Sequence, residues 1–243
     1  MRFISETSSD GVREQLFSLG EVTGVLWTPD GAVGARPLIM LGHGGGQHKK
    51  APGMTGRARR LVTECGFAAV AVDAPNHGGR PENEELNRIS EQNEARAAAG
   101  EDRYPLIAAF QQLAARQTVP EWQAVLDAVQ QAGHVGDGPV GYFGVSLGCG
   151  LGIPFVAAEP RVRAAVLGLG GGPTLTGLAA RITVPVEFCV QWDDESIPRA
   201  QSLELFDAFA SAEKTLHVNP GKHSELPRFE VDSMVRFFAR HLR

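Results

Sequence analysis

One pentapeptide restricts this chain more than any other feature. Gly144-Val145-Ser146-Leu147-Gly148 follows the short apolar run Val140–Phe143 and precedes Leu151–Ala158. The first flank has the length of a buried strand, and the second reads as helical. Gly-x-Ser-x-Gly between a strand and a helix describes a nucleophile elbow. The turn is so sharp that the serine takes a strained backbone conformation, and side chains two residues to either side would strike the strand or the helix. Gly144 and Gly148 remove those side chains. The hydroxyl of Ser146 is thereby lifted clear of the sheet, as a candidate nucleophile. Cys149 lies just beyond and raises the idea of a thiol enzyme, but it lacks the elbow position, and a buried cysteine usually packs as a small hydrophobe.

A serine hydroxyl needs a base within hydrogen-bond reach, and the base needs a carboxylate to fix its tautomer and stabilise its cation. On a strand–turn–helix scaffold the expected order is serine, acid, histidine. Three histidines follow Ser146: His217, His223 and His241. His241 sits in the last turn of the terminal helix, where a cation suits the helix dipole. His217 falls inside a predicted strand. His223 occupies the loop Asn219–Ser224 between a strand and a helix, and is the base of choice. Asp193, Asp194 and Glu195 all follow the strand Val184–Gln191. Asp194 is preferred because it stands in the loop while Pro198 begins the next helix. Asp193 is second and Glu195 third. The oxyanion donors are expected to be the backbone N–H of Leu147 and one from the loop His43-Gly44-Gly45-Gly46, with Gly45 favoured over Gly46 or Gly44.

Elsewhere strands and helices alternate without a linker or an internal repeat. Val12–Leu19 and Val22–Trp27 read as a β-hairpin. Pro37–Leu41 and Phe67–Val72 read as strands buried on both faces, Val162–Leu169 and Thr215–Val218 as further strands. Helices are predicted over 54–65, from Pro120 through Ala132, over 198–210, and from Glu225 to His241 with Ser224 as N-cap. About 81–118 reads as a helical insertion. Such alternation predicts one domain, 1–243, built on a mostly parallel sheet with helices on both faces and function at the carboxyl ends of the strands.

These features together resemble the α/β-hydrolase superfamily. The matching residues are His43-Gly44-Gly45-Gly46, Gly144-Val145-Ser146-Leu147-Gly148, Asp194-Glu195-Ser196-Ile197-Pro198 and Gly221-Lys222-His223, in the family's order, with Asp73–Gly78 resembling its Asp-x-x-x-His-Gly loop. The compact size is most similar to dienelactone-hydrolase-like and small prolyl-oligopeptidase-like esterases. Dienelactone hydrolases proper carry cysteine where this chain has Ser146, which counts against dienelactone as substrate. The resemblance implies an eight-stranded sheet, a Ser146–His223–Asp194 triad and no cofactor. It also implies a lid at the insertion; there Leu106, Ile107 and Phe110 are expected either to roof part of an apolar pocket, with Trp192 as another wall, or to pack on the body of the domain. His77 is a further pocket candidate.

The expected activity is hydrolysis of small-molecule carboxylic esters through an acyl-enzyme. Thioester cleavage or acyl transfer would use the same triad, and a non-catalytic binding protein could share the fold. A net charge of −5 argues against nucleic acid or an anionic membrane as partner. No Walker loop is present, and in the strand-end loops Gly42-x-Gly44 and Gly168-x-Gly170 a dinucleotide fingerprint fails because Gln47 and Pro173 stand where the third glycine would fall. No His-Glu-x-x-His or Cys-x-x-Cys metal spacing occurs. Three well-separated cysteines, no leader and no membrane-length apolar run predict free thiols and a cytoplasmic location. Oligomeric state carries no signal.

Overall fold

The computed structural model describes residues 1–243. Its strands are β1 (Arg2–Ser9), β2 (Val12–Leu19), β3 (Val22–Pro29), β4 (Leu38–Gly42), β5 (Ala68–Val72), β6 (Val140–Val145), β7 (Val162–Gly168), β8 (Val186–Gln191) and β9 (Lys214–Asn219). Its helices are α1 (Pro52–Cys65), α2 (Glu84–Ala98), α3 (Arg103–Gln130), α4 (Leu147–Ala158), α5 (Pro173–Ala179), α6 (Arg199–Ala208) and α7 (Phe229–Leu242). All nine strands form one sheet in the order β1-β2-β3-β5-β4-β6-β7-β8-β9. From β5 to β9 every pairing is parallel, while β1, β2 and β3 join by antiparallel pairing, β3 lying antiparallel to β5.

The central strands are apolar throughout because helices cover both of their faces. Alternate residues separate into two cores. Met40, Tyr142 and Phe188 meet Leu126, Phe155 and Leu205 on the face covered by α3, α4 and α6. Ile39, Leu41 and Phe143 meet Ala58, Leu61, Met234 and Phe238 on the face covered by α1 and α7. No helix is long and apolar enough to cross a membrane.

The chain leaves β4 toward β5 on one side and returns as β6 on the other. A crevice therefore opens where Gly42, ending β4, pairs with Gly144 of β6. The insertion expected at 81–118 forms α2 and the first half of α3, between β5 and β6 in the chain.

Three expectations differ from the structure, and one helix was not expected. The sheet has nine strands rather than eight. The additional strand, β1, is exposed along its whole length, so it shows no apolar alternation to read. Pro120 does not begin a helix but lies inside α3. An interior proline costs roughly 3 kcal/mol. Burial of Ala114, Ala115 and Thr118 before it and of Trp122, Val125, Leu126 and Val129 after it outweighs that cost and holds the helix together. Helix α7 starts at Phe229 rather than Glu225, and Ser224 does not cap it. Pro227 drives the residue before it toward extended backbone, which delays the helix. Finally, Pro173–Ala179, just past the Gly170–Gly172 run, forms the short helix α5.

Candidate functional site

Ser146 stands between β6 and α4 with φ 57° and ψ −119°. For a residue with a side chain this is a strained conformation, costing about 1–3 kcal/mol. The flanking glycines are sterically required. A Cβ on Gly144 would lie 2.4 Å from the Gly148 carbonyl oxygen, and one on Gly148 would lie 2.4 Å from that of Gly42. The buried Tyr142 hydroxyl donates to the Gly148 carbonyl at 2.6 Å and braces the same turn.

His223 lies on the loop after β9. Its Nε2 is 2.8 Å from Ser146 Oγ, and its Nδ1 is 2.7 Å from Asp194 Oδ2. A carboxylate only accepts, so Nδ1 carries the proton and Nε2 is free to receive that of the serine. Asp194 Oδ1 in turn accepts the N–H groups of Ser196 and Ile197, each at 2.8 Å. Burial acts to raise the Asp194 carboxyl, but the His223 hydrogen bond and the Ile197 and Ser196 amides outweigh it and hold the group below the ordinary aspartate value.

The other two acids play different parts. Glu195 Oε2 accepts the backbone N–H of His223 at 3.0 Å. Asp193 Oδ2 receives only the Gly221 N–H, at 3.4 Å. Gln191, fully buried on β8, donates from Nε2 to the carbonyls of Pro220 and Lys222, at 3.3 and 3.2 Å. The histidine loop is thus fastened along its length.

The glycine loop after β4 is ordered by two histidines. His43 is buried, and its Nε2 accepts the Ala74 N–H at 3.0 Å while its Nδ1 faces the Gly44 carbonyl at 2.8 Å. The ring is therefore neutral, with its proton on Nδ1, and burial lowers its pKa to about 4. In a trans peptide the N–H points opposite to the C=O. Holding the Gly44 carbonyl therefore turns the Gly45 N–H the other way, and it has no acceptor within the protein. The Gly46 N–H, by contrast, donates to His77 Nε2 at 3.2 Å, and His77 Nδ1 donates to the Pro75 carbonyl at 2.8 Å. Leu147, the first residue of α4, presents an N–H that lacks an intrahelical acceptor.

These groups share one cavity of about 470 Å³, lined among others by Gly45, His77, Ser146, Leu147, Ile197 and His223. Leu106, Ile107 and Phe110 of α3 are among its lining. Trp192 does not line it. The residue is 47% exposed, and its indole lies under the Arg199 guanidinium, 3.8 Å from the ring centroid.

Sequence reasoning missed the adjoining part of the lining, formed by Ser90, Asn93, Glu94 and Ala97 of α2, where Asn93 donates to the Leu106 carbonyl at 2.9 Å. Their spacing of three, four and seven was a usable signal, hidden because the stripe is polar rather than apolar. Cys149 is fully buried, and burial pushes its thiol up to about 12, which makes it inert. His48 accepts the Lys50 N–H at 3.2 Å and lies outside the cavity.

Over its whole length the chain superposes on all of a cold-adapted esterase from an Arctic intertidal metagenomic library, in its PEG-bound form, with 33% identity and a TM-score of 0.83. The chain belongs to the α/β-hydrolase superfamily and, within it, to the esterases. A zinc-bound form of that Arctic esterase matches with 30% identity and a TM-score of 0.76, again over both whole chains. The dienelactone hydrolase of Anabaena variabilis shares the fold at 22% identity, with 95% of this α/β-hydrolase and 99% of that chain covered and a TM-score of 0.57. No protein-family model matches the sequence. No curated protein matches this α/β-hydrolase either.

Proposed function

We propose that this esterase works through Ser146, His223 and Asp194, with the N–H groups of Gly45 and Leu147 as the oxyanion hole. The observation that carries this reading is the unbroken hydrogen-bonded line from Asp194 through His223 to a strained serine on the cavity wall. In the first half-reaction Ser146 Oγ attacks the ester carbonyl as its proton passes to His223 Nε2. The two N–H groups receive the negative oxygen, where one such donor contributes about 3–4 kcal/mol to catalysis. His223 then gives the proton to the departing alcohol. Water, deprotonated by the same ring, attacks the acyl-serine, and collapse releases the acid and restores the hydroxyl.

The cavity supports a small ester. Leu106, Ile107 and Phe110 suit a short acyl chain, whereas Ser90, Asn93, Glu94 and Arg103 line the cavity with polar and charged groups. The segment α2–α3 acts as a partial lid over the serine. A fluorophosphonate probe tests the nucleophile: one adduct on Ser146 is expected, absent in Ser146→Ala. Unlabelled wild-type protein would remove the proposal. Comparing p-nitrophenyl acetate, butyrate, octanoate and laurate with acyl-CoA thioesters tests the substrate class. Short oxygen esters should turn over fastest.

A further inference from the structure

We propose that Glu187, Cys189, His217 and Glu230 form a binding site for one divalent transition-metal ion of the zinc class, separate from the cavity around Ser146. Glu187 and Cys189 are alternate residues of β8 and project from the same side of the sheet. Cys189 pairs with His217 of β9 in the parallel register, and Glu230 descends from the first turn of α7. One donor atom from each of the four lies within 4.8 Å of those from the other three. His217 Nδ1 is 2.7 Å from Glu230 Oε2, His217 Nε2 is 3.8 Å from Glu187 Oε2, and Cys189 Sγ is 3.9 Å from Glu230 Oε2. Tetrahedral zinc spaces such ligands about 3.3–3.8 Å apart, so shifts on the order of 1 Å complete the shell.

Three further observations point to a cation. The buried Glu187 keeps its Oε1 without any hydrogen-bond partner, an arrangement that is costly unless something positive meets it. The other oxygens are already oriented: Ser233 Oγ donates to Glu187 Oε2 and Asn219 Nδ2 to Glu230 Oε1, both at 2.8 Å. Each carboxylate therefore has one oxygen anchored by a neutral donor; Glu230 turns its other oxygen to His217 and Cys189, while the anchored Oε2 of Glu187 is the one that faces His217. The surrounding charge also suits a cation-loaded set: two carboxylates, a thiolate and a dication leave one negative charge, and the Arg57 and Arg236 guanidiniums act on the set from outside.

Sulfur, imidazole and carboxylate together select zinc-like ions over calcium or magnesium. Four protein ligands leave no open position, so the ion is structural, joining β8, β9 and α7 behind the loop that carries His223. The His217 side chain, 25% exposed, marks the entry path. Burial, with Glu230 and Glu187 beside it, pushes the Cys189 thiol up, so binding releases that proton to solvent. The sequence hid the set because strand pairing, not short spacing, assembles it.

Cobalt(II) added to the chelator-treated full-length protein tests this. One equivalent should give a near-ultraviolet thiolate-to-cobalt charge-transfer band with intense four-coordinate visible bands, displaced by zinc. The band should persist in Cys65→Ser and vanish in Cys189→Ser, with p-nitrophenyl acetate hydrolysis retained. His217→Ala should weaken cobalt binding by more than about tenfold. If Cys189→Ser does not fold, Glu230→Gln should lose the four-coordinate spectrum instead. Absence of the band from wild-type protein, or its survival in Cys189→Ser, overturns the proposal.

Discussion

The backbone N–H of Ala74 donates to Nε2 of His43 across 3.0 Å, joining the loop after β5 to the loop after β4. That bond requires an unprotonated Nε2, so the shape of the Gly44–Gly46 turn is tied to the neutrality of one buried ring. The folded-state pKa, about 4, lies below the ordinary histidine value. Between about pH 6.5 and 4 the unfolded chain binds more protons than the folded one, so folding stability falls as pH falls through that window. The expected loss is up to about 3 kcal/mol. Urea unfolding from pH 7 to pH 4 measures it. His43→Gln should show a shallower slope, and parallel slopes would count against the ring as the source.

Asp194 and Asp193 separate cleanly. Asp194 contacts the His223 ring, while Asp193 reaches only the Gly221 amide. Asp194→Asn should lower kcat by about 10⁴, and Asp193→Asn by far less. Steady-state kinetics on p-nitrophenyl acetate decides, and the reverse ranking would transfer the acid's role to the neighbouring residue.

At Gly45 a Cβ would meet nothing within 4 Å. Gly45→Ala should therefore preserve most activity, since its N–H survives. Gly45→Pro removes that N–H and should cost about 10²–10³ in kcat with KM changing little. Equal kinetics for the two variants would exclude the amide as an oxyanion donor.

Asp73 is a structural centre rather than a chemical one. Its buried carboxylate accepts from Thr23 Oγ1 at 2.7 Å, from Lys49 N at 2.8 Å and from Gly79 N at 2.9 Å, and pairs with the Lys49 ammonium. Asp73→Ala should cost about 3–5 kcal/mol of stability, read from the urea midpoint. A loss below about 1 kcal/mol would show the pairing contributes little beyond a surface contact.

The elbow, the histidine and the glycine loop were legible in the sequence because each depends on local backbone geometry, which glycine spacing records directly. The central strands were legible because burial on both faces leaves an unbroken apolar run. What escaped depends on packing partners. Pro120 reads as a boundary until α4 covers both halves of α3, and exposed β1 has no buried face to betray it. Trp192 reads as a pocket wall because nothing local reveals the Arg199 guanidinium that covers its ring outside the cavity. The Glu187–Glu230 set draws on residues forty-three positions apart, and only the pairing of β8 with β9 and the return of α7 to that edge bring them together.

β4 and β6 lie side by side in the sheet, yet nearly a hundred residues of chain run between them. Helix α2 and the opening turns of α3 belong to that excursion, and their side chains wall the cavity without forming any part of the turn around Ser146. In the proposed mechanism, reaction machinery and substrate choice thus reside on separate, exchangeable pieces. A different helical segment spliced between β5 and the Trp122 half of α3 would redirect which esters enter, while the serine, the imidazole and the two waiting amides keep their places.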